Sequence, residues 1–147
     1  MAVDIPSGVP VTPDGLKYIL VLTDYFTKWA CAFALPDAEA YTCMRAMYDG
    51  FFASFGLFRQ MHTDLGRNFQ GKLFRELCQR TGIKKTHTTP FHAQSDGQAE
   101  RMNRTLLQML RTTADENPFC WPQRIHTVMS AYRMTVHSVE YLLHPMV

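Results

Sequence analysis

The sequence predicts a single α/β domain built on a mixed sheet with helices packed against it. Three strand-like segments follow one another near the start, and two later strands alternate with helices, which is typical of such a sheet. The 147 residues, of which 46% are hydrophobic, are enough for one core and too few for two ordinary domains. We therefore expect one domain over residues 1–147.

The first three strands are predicted by apolar runs separated by turn residues. "MAVDI" (1–5) is a short strand, and the Pro- and Gly-containing segment 6–15 connects it to the next one. "LKYILVLT" (16–23) and "WACAFAL" (29–35) are almost continuously apolar. This pattern predicts strands buried on both faces of a central sheet.

The middle of the chain alternates between helix and strand patterns. Residues 38–55 predict a helix, 58–64 a fourth strand, 69–82 a helix that stops at Gly82, and 83–89 a fifth strand. The first of these helices carries large apolar side chains at steps of three and four residues, which predicts that they form its core face. They are Tyr41, Met44, Tyr48, Phe51 and Phe55.

A loop over 88–98 leads into the last two predicted helices. We expect the first of them to begin at Ser95, because Ser95 and Gln98 match a capping box. Its apolar side continues through Leu106, Leu107 and Leu110. The second covers 121–134 and is predicted to point Trp121, Ile125, Val128 and either Tyr132 or Met129 inward.

The positive charge of the chain is concentrated in its middle. Residues 59–111 hold ten Lys or Arg against four acids, a local charge of +6, whereas the rest of the chain carries −4. Such a segment suits a polyanion such as DNA, although ordinary solvated helix faces would look the same. The longest aliphatic run, 18–22, is too short for a membrane span, and the start does not resemble a signal peptide. We expect a soluble intracellular protein.

Four cysteines, at 31, 43, 78 and 120, are dispersed along the chain without a CxxC pair. This spacing favours neither a zinc site nor a disulfide framework. We expect reduced thiols that are mostly buried.

Acidic residues stand at positions where a site can form in an α/β sheet. Asp64 ends the fourth strand, Glu100 lies in the first turns of a later helix, and Asp4 is a third candidate in the first strand. Converging carboxylates would suit Mg²⁺ or Mn²⁺. Each also has a structural interpretation: Asp64 caps a turn, Glu100 pairs with Arg104, or Asp4 is solvent exposed.

The segments "YILVLTDYFTKW", "HTDLGRNF" and "SDGQAERMNRTL", in this order, resemble the catalytic core of retroviral-type integrases, most closely those of Gypsy/Ty3 retrotransposons. The resemblance covers nearly the whole chain and implies an RNase H-like fold. It also implies that Asp4, Asp64 and Glu100 are the catalytic metal ligands, with two Mg²⁺ or Mn²⁺ ions. Asp24 is the more conspicuous first aspartate, but the resemblance assigns it, with Thr27, to the turn between the second and third strands.

The activity implied by the resemblance is DNA integration: trimming of element DNA ends and transfer of the new 3′-hydroxyl into target DNA in the nucleus. The implied partners are element and target DNA and further copies of the chain. Candidate DNA-contacting residues are Arg104, Asn103, Ser95, Gln98, Lys84 and Lys85. Lys84 and Lys85 are as well explained as solubilising charges at a strand edge. His62 and His92 lie near the proposed ligands, and a structural role explains each of them better.

The chain departs from the family pattern at three places. His92-Ala93 replaces His-Pro, the resemblance fades after "AYRMTVHS", and only three residues precede Asp4. We expect either an excised core domain or a truncated, domesticated, element-derived chain, with a shortened first strand and C-terminal end. Two alternatives to an integrase stay open: a catalytically silent DNA-binding or oligomerisation module, and a nuclease of the same fold.

Overall fold

The computed structural model describes residues 1–64, 66–87, 93–113 and 117–135, and within the third range it describes side chains from Gly97 onward. Five strands form one sheet: β1 (Ala2–Asp4), β2 (Tyr18–Thr23), β3 (Ala30–Leu35), β4 (Gln60–Thr63) and β5 (Lys84–His87). Their order across the sheet is β3-β2-β1-β4-β5. β2 is antiparallel to both neighbours, whereas β1, β4 and β5 run parallel. The predicted mixed five-stranded sheet is confirmed.

Helices cover both faces of this sheet. They are α1 (Ala40–Met47), which continues through a π-helical stretch (Tyr48–Phe52) into α2 (Ala53–Phe55), then α3 (Arg67–Gln70), α4 (Lys72–Thr81), α5 (Ala93–Thr113) and α6 (Trp121–Met134). α1 and α4 share one hydrophobic core with the sheet, and α5 and α6 share the other. In the described part of the chain, no helix combines the length and apolar character that crossing a bilayer requires.

Strand β2, which lies between β3 and β1, links the two cores. Leu20 and Leu22 face the core under α1 and α4, while Ile19 and Val21 face the core under α5 and α6. All four are at most 2% exposed. Successive strand residues point to opposite faces, so a continuous apolar run is what a strand covered on both sides needs. The predicted burial of β2 on both faces is confirmed.

The predicted core face of α1 is wrong in most of its members. Tyr41, Tyr48 and Phe55 are 63–65% exposed, whereas the predicted Phe51 is buried and Met44 is partly buried against the core. Cys43, Met47 and Phe52 are the buried residues that the pattern missed. The π-helical stretch inserts an extra residue into the turn, which rotates the following side chains and buries two consecutive phenylalanines. The prediction relied on the large aromatic side chains of this segment. The smaller side chains of Cys43 and Met47 are the ones in α1 that are fully buried in the core shared with the sheet.

Two predicted helix boundaries also differ from the structure. The helix predicted over 69–82 is divided at Gly71, whose extended backbone (ψ 159°) ends α3 and begins α4. The predicted stop at Gly82 is confirmed, with the left-handed φ of 71° that glycine adopts readily. α5 begins at Ala93, two residues before the predicted start at Ser95. The Ser95 side chain lies outside the described residues.

The last helix follows its prediction. Trp121, Ile125 and Val128 are buried in α6, and both Met129 and Tyr132 join them. The Trp121 indole donates a 2.8 Å hydrogen bond to the carbonyl of Pro10, which ties the segment after β1 to this helix. The four cysteines are free thiols, and three of them are buried, as expected.

Candidate active site

The acidic residues meet at one edge of the sheet. Val3 of β1 is paired with Thr63 of the parallel strand β4, so the next residues, Asp4 at the end of β1 and Asp64 directly after β4, lie side by side. Both line a pocket of about 150 Å³. Glu100, from α5, lines the same pocket. The structure therefore brings together three carboxylates that are distant along the chain.

Asp4 is held by two hydrogen-bond donors. The backbone amide of Ile5 donates to its Oδ1 at 2.8 Å, and the side-chain amide of Asn103 donates to its Oδ2. Burial raises the pKa of the Asp4 carboxyl above its ordinary value, and the neighbouring Asp64 carboxylate raises it further, while the two hydrogen bonds lower it. A nearby cation would relieve both the desolvation and the repulsion.

Asp64 is oriented by the residue two positions later. The amide of Gly66 donates to Asp64 Oδ1 at 2.9 Å. A Cβ on Gly66 would lie 2.8 Å from that same oxygen, closer than van der Waals contact permits. Its φ of −56° is one that any residue adopts. A glycine is therefore needed here for the close approach of the carboxylate, and the backbone conformation does not require it.

Glu100 is exposed, as is Asp64, whereas Asp4 is half-buried. Its Oε1 accepts a 3.0 Å charge-assisted hydrogen bond from Arg104 Nη2, and both side chains are 72% exposed. The ion pair predicted as the structural interpretation of Glu100 is thus present. The pair competes only weakly with a role for Glu100 at the pocket, because an exposed pair of this kind is worth only about 0–1 kcal/mol.

The donor set fits a hard divalent cation, although the side chains are not arranged as a finished site. Within the described ranges, no three Asp, Glu, His or Cys side chains are grouped closely enough to hold a metal ion. The shared pocket and the Asp4–Asp64 repulsion say more about the site than the present spacing of the side chains does. Carboxylate side chains change rotamer easily, whereas the strands that carry Asp4 and Asp64 keep their positions.

The residues predicted to contact DNA are placed differently from one another. Arg104 is exposed one turn after Glu100. Asn103 is 8% exposed and its amide is used by Asp4, so it supports a carboxylate and does not face solvent. Gln98 Oε1 accepts a 2.7 Å hydrogen bond from Lys28 Nζ, and the predicted capping interaction with Ser95 lies outside the described residues.

The two lysines of β5 also differ. Lys84 is exposed, whereas Lys85 is half-buried with its Nζ 5.7 Å from the centre of the Phe74 ring. Burial lowers the pKa of Lys85. Lys85 therefore packs against the protein, and only Lys84 presents its charge freely to a polyanion.

His62 and Tyr25 complete the wall of the pocket. The His62 Nδ1 lies 3.1 Å from Thr86 Oγ1, and its ring packs edge-on against Tyr25 at 6.0 Å between centroids. His62 thus has the packed, hydrogen-bonded surroundings of a structural histidine, although it lines the pocket. His92 lies outside the described residues. Tyr25 was not predicted, since no sequence pattern places a turn residue beside a distant strand.

Asp24 shapes the β2–β3 turn, as the resemblance implied. Its Oδ2 accepts hydrogen bonds from the backbone amide of Thr27 at 3.1 Å and from Thr27 Oγ1 at 2.7 Å. Asp24 is not among the residues that line the acidic pocket, whereas Asp4 is. The geometry favours Asp4 as the partner of Asp64.

A larger cavity lies elsewhere on the molecule. An apolar groove of about 570 Å³ runs between α1 and α4 and is lined in part by Tyr41, Tyr48, Leu57 and Leu77. No carboxylate is among the described residues that line it. Its size therefore does not make it a better candidate for chemistry than the smaller acidic pocket.

The family model and the relatives found by comparison with known proteins agree with one another. Residues 2–93 match the family model described as integrase core domain. The chain is 26% identical over 140 residues to the retrovirus-related Pol polyprotein from transposon 412 of Drosophila melanogaster, covering 95% of this chain and 11% of that protein. It is 29% identical over 121 residues to the Gag-Pol polyprotein of avian reticuloendotheliosis virus, covering 82% of this chain and 10% of that one. The chain thus spans about a tenth of the length of these relatives.

A solved structure shares the fold. A chain in the cryo-EM structure of the simian T-cell lymphotropic virus intasome in complex with PP2A regulatory subunit B56 gamma superposes with a TM-score of 0.68. The sequence identity is 19%, and the match covers 94% of this chain and 48% of the other. This likeness supports the RNase H-like arrangement of sheet and helices.

Proposed function

Because the chain belongs to the integrase core domain family, we propose that it is a metal-dependent polynucleotidyl transferase. It would trim the 3′ ends of element DNA and join them to target DNA. The observation that carries the proposal is the convergence of Asp4, Asp64 and Glu100 on one pocket at the edge of the sheet. Integrase core domains generally use divalent metals, which agrees with this set of oxygen donors.

Asp4, Asp64 and Glu100 would hold the metal, Mg²⁺ or Mn²⁺. Two bound ions would supply activation of a water or 3′-hydroxyl and stabilisation of the leaving oxygen at phosphorus. Asn103 and the Ile5 amide keep the Asp4 carboxylate oriented, and the Gly66 amide does the same for Asp64. No protein nucleophile is needed, because the attacking oxygen comes from water or DNA.

Basic side chains near the pocket would hold the DNA backbone. Arg104 stands on the Glu100 face of α5 and is free to exchange its carboxylate partner for a phosphate. Lys84 is also exposed, but it lies opposite Gln60 at the start of β5, away from the strand ends that form the pocket. Ser95 and Gln98 stay weaker candidates, and Lys85 and Asn103 are engaged within the protein. The chain would act on DNA in the nucleus as a homodimer or larger assembly.

A second function is a DNA-binding or oligomerisation module without catalysis. The observation that favours it is the ion pair of Glu100 with Arg104, which occupies the third acid. The two functions differ in whether a divalent cation binds, because only the transferase requires all three carboxylates. Endonuclease activity on the same DNA would be a partial reaction of the transferase.

Metal binding and strand transfer can be tested on the same protein. Mn²⁺ should raise the melting temperature of the wild type, and Asp64→Asn or Glu100→Gln should remove that shift, whereas the exposed control Asp14→Asn should keep it. Branched oligonucleotides that mimic the strand-transfer product should be resolved only when Mn²⁺ or Mg²⁺ is present.

Each outcome of these experiments discriminates between the candidates. Persistence of the Mn²⁺ shift in both site variants would contradict the proposed ligands. Product formed without any metal would contradict the mechanism. A wild-type protein that binds DNA but neither binds Mn²⁺ nor resolves the branched substrate would be the silent module.

A further inference from the structure

Helix α5 carries Glu100 and must be held at a fixed angle to the strands that carry the two aspartates. Its inward face packs on the sheet through Met102, Leu106 and Leu110, which are 0–5% exposed. The Sδ atom of Met102 also accepts a buried 3.5 Å hydrogen bond from Thr23 Oγ1, at the last residue of β2. The sheet ends there, so the earlier turns of the helix need a different support.

The β2–β3 turn supplies that support. Lys28 Nζ donates to Gln98 Oε1 at 2.7 Å and also to the carbonyl of Tyr25. Gln98 lies four residues before Met102, so the two contacts are stacked on one face of α5. Among the described side chains of α5, which start at Gly97, Gln98 makes the hydrogen bond nearest to the start of the helix.

The turn is built to direct Lys28 toward the helix. The backbone amide of Lys28 donates to the Asp24 carbonyl at 2.9 Å, and Lys28 adopts a left-handed φ of 62°. It is the one non-glycine residue with positive φ in the described part of the chain, in a conformation that disfavours a lysine. A glycine or asparagine would suit this backbone better, which indicates that the side chain of Lys28 is used.

The same turn contacts the strand of the second aspartate. The ring of Tyr25 packs edge-on against His62, two residues before Asp64. The turn therefore touches the helix of Glu100 through Lys28 and the strand of Asp64 through Tyr25. Residues 24–28 connect the two parts of the acidic pocket outside the sheet itself.

We propose that Lys28 is a positioning residue for the active site, and that its hydrogen bond to Gln98 sets the place of Glu100 relative to Asp4 and Asp64. The proposal rests on the proposed function for its consequence in metal binding. Lys28 is not a ligand and does not line the pocket. It acts through the helix, in the way that partners of metal ligands hold those ligands in place.

The test compares Lys28→Met with wild type in two measurements that need no catalysis. Calorimetric titration with Mn²⁺ should show an affinity lower by about tenfold, the loss typical when a supporting hydrogen bond is removed from a metal site. Hydrogen exchange of the α5 amides over residues 98–103 should be faster without metal, because the early turns have lost their support. Lys28→Arg should restore most of both properties, and Lys17→Met, at an exposed lysine, should match wild type.

Variants of Gln98 identify the route. Gln98→Leu should reproduce the loss seen in Lys28→Met, and the double variant should be no worse than either single one, since both remove the same bond. If Lys28 instead contacts DNA, its loss would reduce salt-dependent DNA binding, whereas Mn²⁺ affinity and the Gln98 variant would match wild type; that pattern overturns the proposal.

Failure of the proposed function would look different. A wild type without Mn²⁺ affinity would refute the metal-dependent function and, with it, the effect of Lys28 on metal binding. Hydrogen exchange would still test the Lys28–Gln98 hydrogen bond. Unchanged exchange of the α5 amides in Lys28→Met would show that this bond does not hold the helix. Normal Mn²⁺ affinity in Lys28→Met, with wild type binding, would overturn the positioning role alone.

Discussion

Asn103 donates its side-chain amide to Asp4 across a sequence separation of 99 residues. The contact joins α5 to the first strand at the pocket and fills the remaining oxygen of a half-buried carboxylate. Asn103, which the sequence suggested as a DNA contact, therefore uses its side-chain amide to support the Asp4 carboxylate. The stability of the site depends on this arrangement of donors around the carboxylates, and so does the metal affinity that the proposed function requires.

Asn103→Ala should reduce the free energy of unfolding by about 1–3 kcal/mol, because a charged acceptor loses its donor and a small cavity forms. The loss should be greater at pH 7 than at pH 4, since the amide stabilises the ionised Asp4 carboxylate and lowers its pKa. Denaturant unfolding at both pH values measures this. Gln108→Ala, on the exposed face of the same helix, is the control. An equal loss at both pH values would mean that the amide does not act on the charge.

Asp64→Asn should stabilise the metal-free protein at pH 7 by roughly 2–4 °C in melting temperature, because it removes the repulsion on Asp4. The pKa of Asp4 is raised in the folded state, so as the pH rises above the ordinary 3.8 the unfolded chain loses its proton first and stability falls. The variant's advantage should therefore disappear as the pH is lowered toward 3.8 and below. Melting curves with chelator present measure it; a variant less stable than wild type at neutral pH would argue against the repulsion.

Gly66→Ala should weaken Mn²⁺ binding by about tenfold or more with little change in melting temperature, because its Cβ displaces the Asp64 carboxylate while the backbone conformation stays allowed. Gly71→Ala is the matched control, since a Cβ there would meet no atom within 4 Å and the φ of Gly71 is −65°. Equal Mn²⁺ affinities in the two variants would show that the close approach of Gly66 does not matter.

Arg104→Ala should have opposite effects on the two ligands. Mn²⁺ affinity should rise by up to about fivefold, because Glu100 is released from an exposed ion pair worth about 0–1 kcal/mol. DNA affinity should fall, and the slope of its logarithm against the logarithm of salt concentration should decrease by about 1, because one phosphate contact is lost. Salt-dependent binding titrations and calorimetry measure both, with Arg111→Ala as a control for charge on the same helix. A fall in both affinities would mean that Arg104 supports the Glu100 carboxylate in its bound position.

Much of the sheet was predictable because its signals are local. β2 and β3 are apolar runs bounded by turn residues, Gly82 stops a helix by its own backbone preference, and α6 shows its buried face in a regular repeat. The inward face of α1 was not predictable. A π-helical stretch changes the rotation of the helix, and its π hydrogen bonds leave no mark in the apolar repeat.

The sequence by itself determined the order of the elements, the family resemblance, the three acids that are candidates for the site and the pairing of Glu100 with Arg104, because these depend on residue type and on neighbours along the chain. Only the tertiary structure decided that Asn103 donates to Asp4 and that Lys28 reaches Gln98. Both contacts join segments 70 or more residues apart, and the distance and direction between donor and acceptor are set only when the sheet and α5 have come together.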